Sequence, residues 1–236
     1  MTGAGGGLGA GICTSLAAAG ATVACADIVT GSAERIARQV AERGGRSLAL
    51  HVDVADGASV RGAVERTAAE LGGIDVLVNN AAIYPRRAWT QITEEEWDRV
   101  LAVNLKGYFH CARACYRSMK ERGGGHVINV SSITFMVGFE MLLDYVSSKG
   151  AIVGFTRALA HEVGPEGITV NAIAPGAFPT QTWRLYVYSF PSNSATRAFT
   201  SFAIQSRSSS RMTTRSPTPL AVPRARQHST CRPGSN

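Results

Sequence analysis

Short apolar runs alternate with helix-forming segments along the first three quarters of the chain. We expect strands where such a run is bounded by turn residues, at 22–27, 47–54, 74–82, 126–132 and 168–176. Helices are predicted between them at 9–20, 32–45, 57–73 and 145–164, together with one long helix or bent pair after a capping box at Thr93 and Glu96. Strands that are apolar throughout indicate a parallel sheet covered on both faces. The predicted fold is therefore a doubly wound α/β sheet of the Rossmann type.

Charge divides the chain into two parts near residue 180. All 17 acidic residues precede that point, and residues 181–236 contain eight arginines, no lysine and no acid. The net charge of +7 therefore comes from the tail, which leaves no argument for nucleic-acid binding by the rest. We predict one folded domain over 1–180 and a disordered Ser/Arg/Thr/Pro-rich tail over 181–236. A shifted reading frame and a natural basic tail that touches nucleic acid are both possible origins of that composition.

The composition also narrows the location and the metal chemistry. The chain has no apolar run of about 18 residues and no leader-like N-terminus, so we expect a cytoplasmic protein without a membrane span. Its five cysteines are then expected to be reduced thiols. Cys111 and Cys115 lie four residues apart, but no further ligands accompany them in the sequence. We therefore expect packed thiols and no metal.

The N-terminus is rich in glycine, with Gly3, Gly7 and Gly9 spaced as in a phosphate-binding loop. Missing side chains let backbone N–H groups approach a pyrophosphate at the start of the following helix. Asp27 ends the next strand, where a carboxylate can bind both ribose hydroxyls and repel a 2′-phosphate. No Arg or Lys lies in the loop or directly after Asp27, so NAD is favoured over NADP. The alternatives are a flexible glycine-rich start and an ordinary surface aspartate.

Tyr145 and Lys149 lie four residues apart, on one face of a predicted helix. A phenol with a pKa of about 10 needs a shift of about 3 to ionise at neutral pH, and one ammonium about 4 Å away supplies roughly that. Such a pair suits the chemistry of alcohols and ketones, although the same spacing is common on solvated helices. Ser132 ends a predicted strand at the ligand edge of the sheet, and Asn104 lies within a helix, where asparagine is unfavourable.

Together these features resemble the short-chain dehydrogenase/reductase family over residues 2–180. The matches, in the family's order, are Thr2-Gly3-x-x-x-Gly7-x-Gly9, Asp53, Asn-Asn-Ala-Ala at 79–82, Asn104, Ser132, Tyr145-x-x-x-Lys149, and Pro175-Gly176 followed by Thr180. Ala82 stands where the family usually has glycine.

The resemblance implies a role for each matched residue. Tyr145 would be the general acid/base, Ser132 would bind the substrate oxygen, and Lys149 would bind the nicotinamide ribose and lower the pKa of Tyr145. Asn104 would hold a water of the proton relay, and Asp53 would touch the adenine. The implied cofactor site comprises Gly3, Gly7, Leu8, Gly9, Asp27, Asp53, Val54, Asn80, Ala81, Tyr145, Lys149, Pro175, Gly176 and Thr180.

The implied function is NAD-dependent hydride transfer between a nicotinamide and a secondary alcohol or ketone, by a homodimer or homotetramer. The alternatives are a catalytically silent dinucleotide-binding module and a non-functional fragment of such an enzyme. Apolar residues between Ser132 and Tyr145 suggest an apolar substrate pocket, unless most of them belong to the core: Ile133, Phe135, Met136, Phe139, Met141 and Leu142.

Family members also have a central strand before the glycine loop and a substrate-covering helix after residue 180. The sequence shows neither, which we interpret as an upstream start or, less favoured, a true truncation. The 236-residue chain as it stands is therefore expected to be poorly stable and inactive.

Overall fold

The computed structural model describes residues 1–176 and the backbone of residues 202–205. Its strands are β1 Val23–Asp27, β2 Ser47–His51, β3 Val76–Asn79, β4 Gly125–Val130, β5 Ile168–Ala174 and β6 Phe202–Gln205. Its α-helices are α1 Gly7–Ala18, α2 Thr30–Glu42, α3 Gly57–Leu71, α4 Glu94–Leu101, α5 Gly107–Glu121, α6 Thr134–Val137 and α7 Leu143–Val163. Two short 3₁₀ turns, Trp89–Gln91 and Gly164–Glu166, were not predicted, nor was α6.

The strands form two sheets with parallel pairing. In one sheet β1 pairs with β2, and in the other β3, β4 and β5 pair in that order. Each crossover between parallel strands contains a helix, as a doubly wound fold requires. The prediction of a Rossmann-type α/β fold is confirmed.

A further strand, β6, arises inside the segment predicted to be a disordered tail. It runs antiparallel to β5, with Phe202 opposite Ala174 and Gln205 opposite Asn171. Aromatic and β-branched residues favour strands, and pairing satisfies the backbone groups of an edge strand. The domain boundary and the disordered tail stay predictions. The rest of the predicted tail and the predicted boundary at residue 180 lie outside the described residues.

Met1–Ala4 joins the two sheets. The amide of Ala26 donates to the carbonyl of Met1 and the amide of Ala4 donates to that of Ala26, each at 3.0 Å. On the other side, the amide of Thr2 donates to the carbonyl of Val78, also at 3.0 Å. The N-terminal amine of Met1 also donates to the carbonyl of Ala24 at 3.1 Å, and the bond to β3 lies in its carboxyl half. Among the described residues no strand lies between the amino halves of β1 and β3, and Val76 is 42% exposed there.

The predicted long helix or bent pair is an unbroken run of α4, a π-helical segment Ala102–Lys106, and α5. It begins at the predicted capping box, in which the Thr93 hydroxyl accepts from the Glu96 amide and the Glu96 carboxylate accepts from the Thr93 amide. The π-helical segment turns Asn104 fully inward, which explains an asparagine at this position in a helical run.

The apolar core consists of two clusters of buried side chains. The larger cluster packs β2 to β5 against α3, α5 and α7, and a smaller one packs α1 and α2 against β1. The four cysteines of the described residues are buried free thiols, and burial raises the pKa of Cys111 and of Cys115 to about 12. In the same residues no group of side chains could hold a metal, and no helix is long and apolar enough to cross a membrane.

The gap between β1 and β3 predicts that a strand placed there will stabilise the fold. A six-residue apolar extension before Met1, Val-Ala-Leu-Val-Val-Val, would pair with the amino halves of both strands and cover Val76. We expect the melting temperature to rise by about 4 °C or more, which corresponds to about 2 kcal/mol in a domain of this size. The measurement is thermal unfolding beside a control extended with Pro-Ser-Pro-Ser-Pro-Ser, which cannot pair. Equal melting of the two extended chains would contradict the prediction.

Candidate active site

The glycine-rich loop leads directly into α1 and forms an open helix N-terminus. Gly6 is the N-cap residue, and no side chain caps the first turn of α1. Gly3 has φ of +62°, and a Cβ at Gly9 would collide with the carbonyl oxygen of Gly3. The loop therefore accepts no side chain at these two positions, and its uncapped amides fit the pyrophosphate of a dinucleotide. Gly7 begins the helix with φ of +51°, and Leu8 is half-buried beside it.

Asp27 is attached to the glycine loop through its carboxylate. Its Oδ2 accepts from the Gly5 amide at 2.8 Å and its Oδ1 accepts from the Val29 amide at 3.0 Å. Arg35 of α2 donates to the carbonyl of the same Gly5. A basic side chain thus lies at the loop. It could not be predicted from the residues next to Asp27, because Arg35 lies eight residues later in the sequence and only the fold of α2 places it beside the loop. A search at helical spacing along α2 would have found it.

The glycine loop is also linked to the loop after β3. Thr2 Oγ1 accepts from the amides of Asn80 and Ala81, at 3.1 and 3.2 Å. In the other direction, Asn80 Nδ2 donates to the carbonyls of Thr2 and Gly3, both at 3.1 Å. The side chains of Thr2 and Asn80 therefore hold the glycine loop and the loop after β3 together in the protein without a ligand.

The other predicted cofactor residues lie in loops that leave the sheet at the same edge. Asp53 accepts from the Ala55 amide at 2.9 Å, and Val54 is buried against Gly107. The carbonyl of Pro175 accepts from the Ile133 amide at 3.1 Å, and Gly176 is half-buried. Thr180 lies outside the described residues.

Lys149 is buried beside Tyr145. Its Nζ lies 5.5 Å from the centre of the Tyr145 ring and donates to the carbonyl of Val130 at 2.8 Å. Only 2% of Lys149 is exposed, and this burial lowers its pKa to about 7. The sequence argument assumed a fully charged ammonium next to the phenol. In the folded protein the charge of Lys149 is itself sensitive to pH near neutrality.

Ser132 follows β4 and is largely buried. Its Oγ accepts from the backbone amide of Thr134 at 3.2 Å and from the Thr134 hydroxyl at 3.0 Å. The neighbouring Ser131 donates its hydroxyl to the carbonyl of Lys149 at 2.7 Å, which ties α7 to the end of β4. Sequence reasoning did not identify Thr134, because a threonine two residues past a strand carries no signal of its own.

Asn104 positions the loop after β3 instead of facing Tyr145. Its Oδ1 accepts from the Ile83 amide at 2.8 Å, and its Nδ2 donates to the Ile83 carbonyl at 2.9 Å and to Ser148 Oγ at 3.0 Å. The same loop carries Tyr84, whose ring centre lies 5.6 Å from that of Tyr145. Asn104 therefore links this loop to α7.

The apolar residues before Tyr145 divide between core and surface. Leu142 is 3% exposed and belongs to the core, whereas Met136, Phe139 and Met141 are between 40% and 53% exposed. Ile133 and Phe135 are half-buried. The core interpretation therefore holds for Leu142, and the apolar substrate pocket stays a prediction for the exposed residues.

The fold and these contacts define a dinucleotide-binding α/β protein with a Tyr–Lys pair at the carboxyl edge of its sheet. The chain belongs to the short chain dehydrogenase family, whose sequence model matches residues 1–186. It is 38% identical over 185 residues to a probable galactose dehydrogenase, GalD, of Rhizobium meliloti (strain 1021), covering 78% of this chain and 72% of the relative.

Two further similarities support this assignment. The chain is 43% identical over 180 residues to the short-chain reductase protein NovJ of Streptomyces niveus, covering 76% of this chain and 68% of the relative. Its structure resembles a 3-ketoacyl-(acyl-carrier-protein) reductase of Brucella melitensis solved with NADH, with a TM-score of 0.72 and 34% identity, covering 76% and 75% of the two chains. The family comprises oxidoreductases that use nicotinamide cofactors.

The buried lysine predicts a pH dependence of stability. Between about pH 7 and the ordinary lysine pKa of 10.5, the unfolded chain binds more protons than the folded one, so stability contributed by Lys149 rises with pH. Below pH 7 both states are charged and the burial penalty is present in full. We expect the wild type to gain roughly 1–2 kcal/mol relative to Lys149→Met between pH 7 and 8.5.

Urea unfolding of both chains at pH 7.0, 7.5, 8.0 and 8.5 measures this gain. The buried Cys111 and Cys115 are present in both chains, so their own contribution to the pH dependence cancels in the difference. The control is Lys106→Met, which removes an exposed lysine on the neighbouring π-helical segment. A difference between wild type and Lys149→Met that does not change with pH would refute the lowered pKa.

Proposed function

We propose that this protein is an NAD-dependent dehydrogenase or reductase that acts on a secondary alcohol or ketone, with Tyr145 as the general acid/base. The observation that carries the proposal is the placement of Lys149, buried with its Nζ 5.5 Å from the Tyr145 ring. Burying an ammonium is costly, so a lysine next to a phenol at a ligand edge is most simply explained by a function.

The described residues divide into a cofactor-binding part and a proton-transfer part. The glycine loop and the start of α1 would hold the pyrophosphate, Asp27 the adenosine ribose, and Asn80 and Ala81 the wall of the cleft. Asp53, Val54, Pro175 and Gly176 complete that cleft in the proposal. The bound nicotinamide would exchange a hydride with the substrate carbon.

Proton transfer is assigned to Tyr145 and its neighbours. In the oxidative direction the Tyr145 oxygen takes the proton of the substrate hydroxyl, and in the reductive direction it returns it. Ser132, whose Oγ is held by Thr134, binds the substrate oxygen, and a charged Lys149 stabilises the phenolate. Asn104 contributes by fixing the Ile83 loop to α7, with any water of the proton relay held nearby.

NAD is proposed over NADP because of Asp27. Its carboxylate already accepts two backbone amides, which keeps it at the loop, and a 2′-phosphate there would be repelled by the carboxylate. Arg35 lies on the other side of Gly5 and would attract a phosphate, but it is occupied by the Gly5 carbonyl. The relative solved with NADH is consistent with this preference.

The remaining parts of the proposal concern substrate and setting. The exposed Met136, Phe139 and Met141 favour a small substrate with an apolar portion. Four buried free thiols fit a reducing, cytoplasmic setting. A homodimer or homotetramer is proposed from the family resemblance, and nothing in residues 1–180 favours nucleic acid as a partner.

Tyr145→Phe is the most direct test of the proposed mechanism. The assay uses a length-restored chain, defined as residues 1–180 preceded by the apolar extension and followed by the C-terminal segment of the Streptomyces niveus reductase. Losing only the hydroxyl should reduce kcat by about 10²–10⁴-fold and leave NADH affinity nearly unchanged. Steady-state kinetics and NADH fluorescence titration measure the two quantities.

The control for this test is Tyr116→Phe. It removes a tyrosine hydroxyl on α5 that is bound by the exposed Lys120, away from the candidate site. It should leave both kcat and affinity unchanged. If Tyr145→Phe kept more than about a tenth of the activity, Tyr145 would not be the acid/base.

Asp27→Ala tests the cofactor preference. Removal of the carboxylate frees the Gly5 and Val29 amides and abolishes the repulsion of a 2′-phosphate. NADH should bind about tenfold or more weakly, and the ratio of NADH to NADPH affinity should fall. Fluorescence titration with both cofactors measures it, with Asp56→Ala as a control for loss of an acid at a helix N-cap. An unmutated length-restored chain that used NADPH as well as NADH would overturn the preference.

A further inference from the structure

Tyr108 is a second tyrosine in contact with Lys149. It lies on α5, is 1% exposed, and its hydroxyl donates to the carbonyl of Val130 at 3.0 Å. The same carbonyl accepts from Lys149 Nζ at 2.8 Å, and Nζ lies 3.5 Å from the Tyr108 hydroxyl oxygen. The sequence analysis attached no role to this tyrosine, since it belongs to none of the motifs.

Two tyrosine rings lie near the ammonium group. Lys149 Nζ is 5.5 Å from the centre of the Tyr108 ring and 5.5 Å from the centre of the Tyr145 ring. Both distances are within the range in which a cation is attracted to the face of an aromatic ring. Lys149 is thereby held by one carbonyl, one hydroxyl and two rings, and most of these contacts involve Tyr108 or the carbonyl that Tyr108 also binds.

The titratable groups around Lys149 are few and leave Tyr108 neutral. From α5 they are Tyr108 and Cys111, and from α7 they are Tyr145 and the buried Asp144, whose carboxylate accepts from the Tyr145 amide. Burial, followed by the nearby Tyr145 and Cys111, raises the pKa of Tyr108 well above its ordinary value. Its hydroxyl therefore keeps its proton, donates to Val130, and presents its oxygen to Lys149.

We propose that Tyr108 is a positioning residue for Lys149. Its hydroxyl binds the Val130 carbonyl and offers the ammonium a second acceptor, and its ring lies within cation–π distance of the ammonium. Lys149 Nζ is thus held near the Tyr145 ring, where its charged form would bind the ribose and stabilise the phenolate. The proposal rests on the proposed function for the use made of Lys149, but the effect of Tyr108 on Lys149 does not.

Tyr108→Phe isolates the hydroxyl, because the ring and its packing remain. Without the second acceptor the charged form of Lys149 is less stabilised, so the pKa of Lys149 should fall by about half a pH unit or more. In the length-restored chain KM for NAD should rise several-fold, and the alkaline limb of kcat against pH, where Lys149 loses its charge, should move to lower pH together with the Lys149 pKa. A purely structural role in the core would change the melting temperature without moving either pH-dependent quantity.

The titration of Lys149 can be measured directly by NMR. Lys106, Lys120 and Lys149 are its only lysines, so NMR of the 236-residue protein labelled with ¹³Cε-lysine gives three side-chain signals. Lys149→Met assigns the signal of interest, and the exposed Lys106 is an internal reference. Tyr116→Phe, a matched substitution on the same helix, should leave the Lys149 titration unchanged.

A double-mutant cycle distinguishes an effect of Tyr108 on Lys149 from a general loss of stability. If Tyr108 acts on Lys149, the effect of Tyr108→Phe on the urea midpoint should be smaller in the Lys149→Met background than in the wild type. Equal effects in both backgrounds, together with a Lys149 titration that moves by less than about 0.2 pH unit, would overturn the proposal. Because the titration needs no substrate, an inactive wild type would count against the proposed function and not against this inference.

Discussion

The backbone hydrogen bonds of the four residues Met1–Ala4 are the interaction on which the arrangement of the two sheets depends. Their backbone bonds to Ala26 and Val78 are what join a two-stranded sheet to a four-stranded one. Thr2 and Gly3 in the same segment also bind Asn80, so the junction between the sheets and two segments of the proposed cofactor site are one structure. Loosening the junction would therefore also disturb the proposed cofactor site.

The position of α7 against the strands depends on hydrogen bonds between buried polar side chains. Asn79 of β3 donates to Asn129 of β4 at 3.0 Å, and Asn129 donates to Thr156 of α7 at 3.0 Å. This chain of amides and hydroxyl runs beneath the site and fixes α7, which carries Tyr145 and Lys149, against the strands. Asn79 Oδ1 is buried without a hydrogen-bond partner, whereas Asn129 and Thr156 are paired, so the bond from Asn129 to Thr156 is what restricts the position of α7 against β4.

The burial of Lys149 has a chemical consequence. An ammonium with a pKa near 7 can lose its charge close to physiological pH, and its charged form is favoured by whatever acceptors surround it. Val130, Tyr108 and Tyr145 are those neighbours in the free protein. The pair that the sequence presents as Tyr-x-x-x-Lys is thus, in three dimensions, a lysine in contact with two tyrosines, and the tyrosine outside the motif acts on the lysine inside it.

Local sequence determined the elements of this fold, because burial on both faces of a sheet leaves apolar runs and helical spacing that can be identified without coordinates. It placed β1 and β4 within a residue or two, but it extended the strands too far at their carboxyl ends: Val52, Val54, Ser131 and Ser132 lie in loops. Those residues are as buried as strand residues, and only pairing, which is tertiary, ends a strand. The motif residues Gly3, Asp27, Tyr145 and Lys149 were likewise legible, since their types and spacing encode the chemistry. Arg35, Thr134 and Tyr108 were not, and neither was the use of Asn104 to hold a loop. Their roles arise from contacts between elements distant in sequence, which no local pattern specifies.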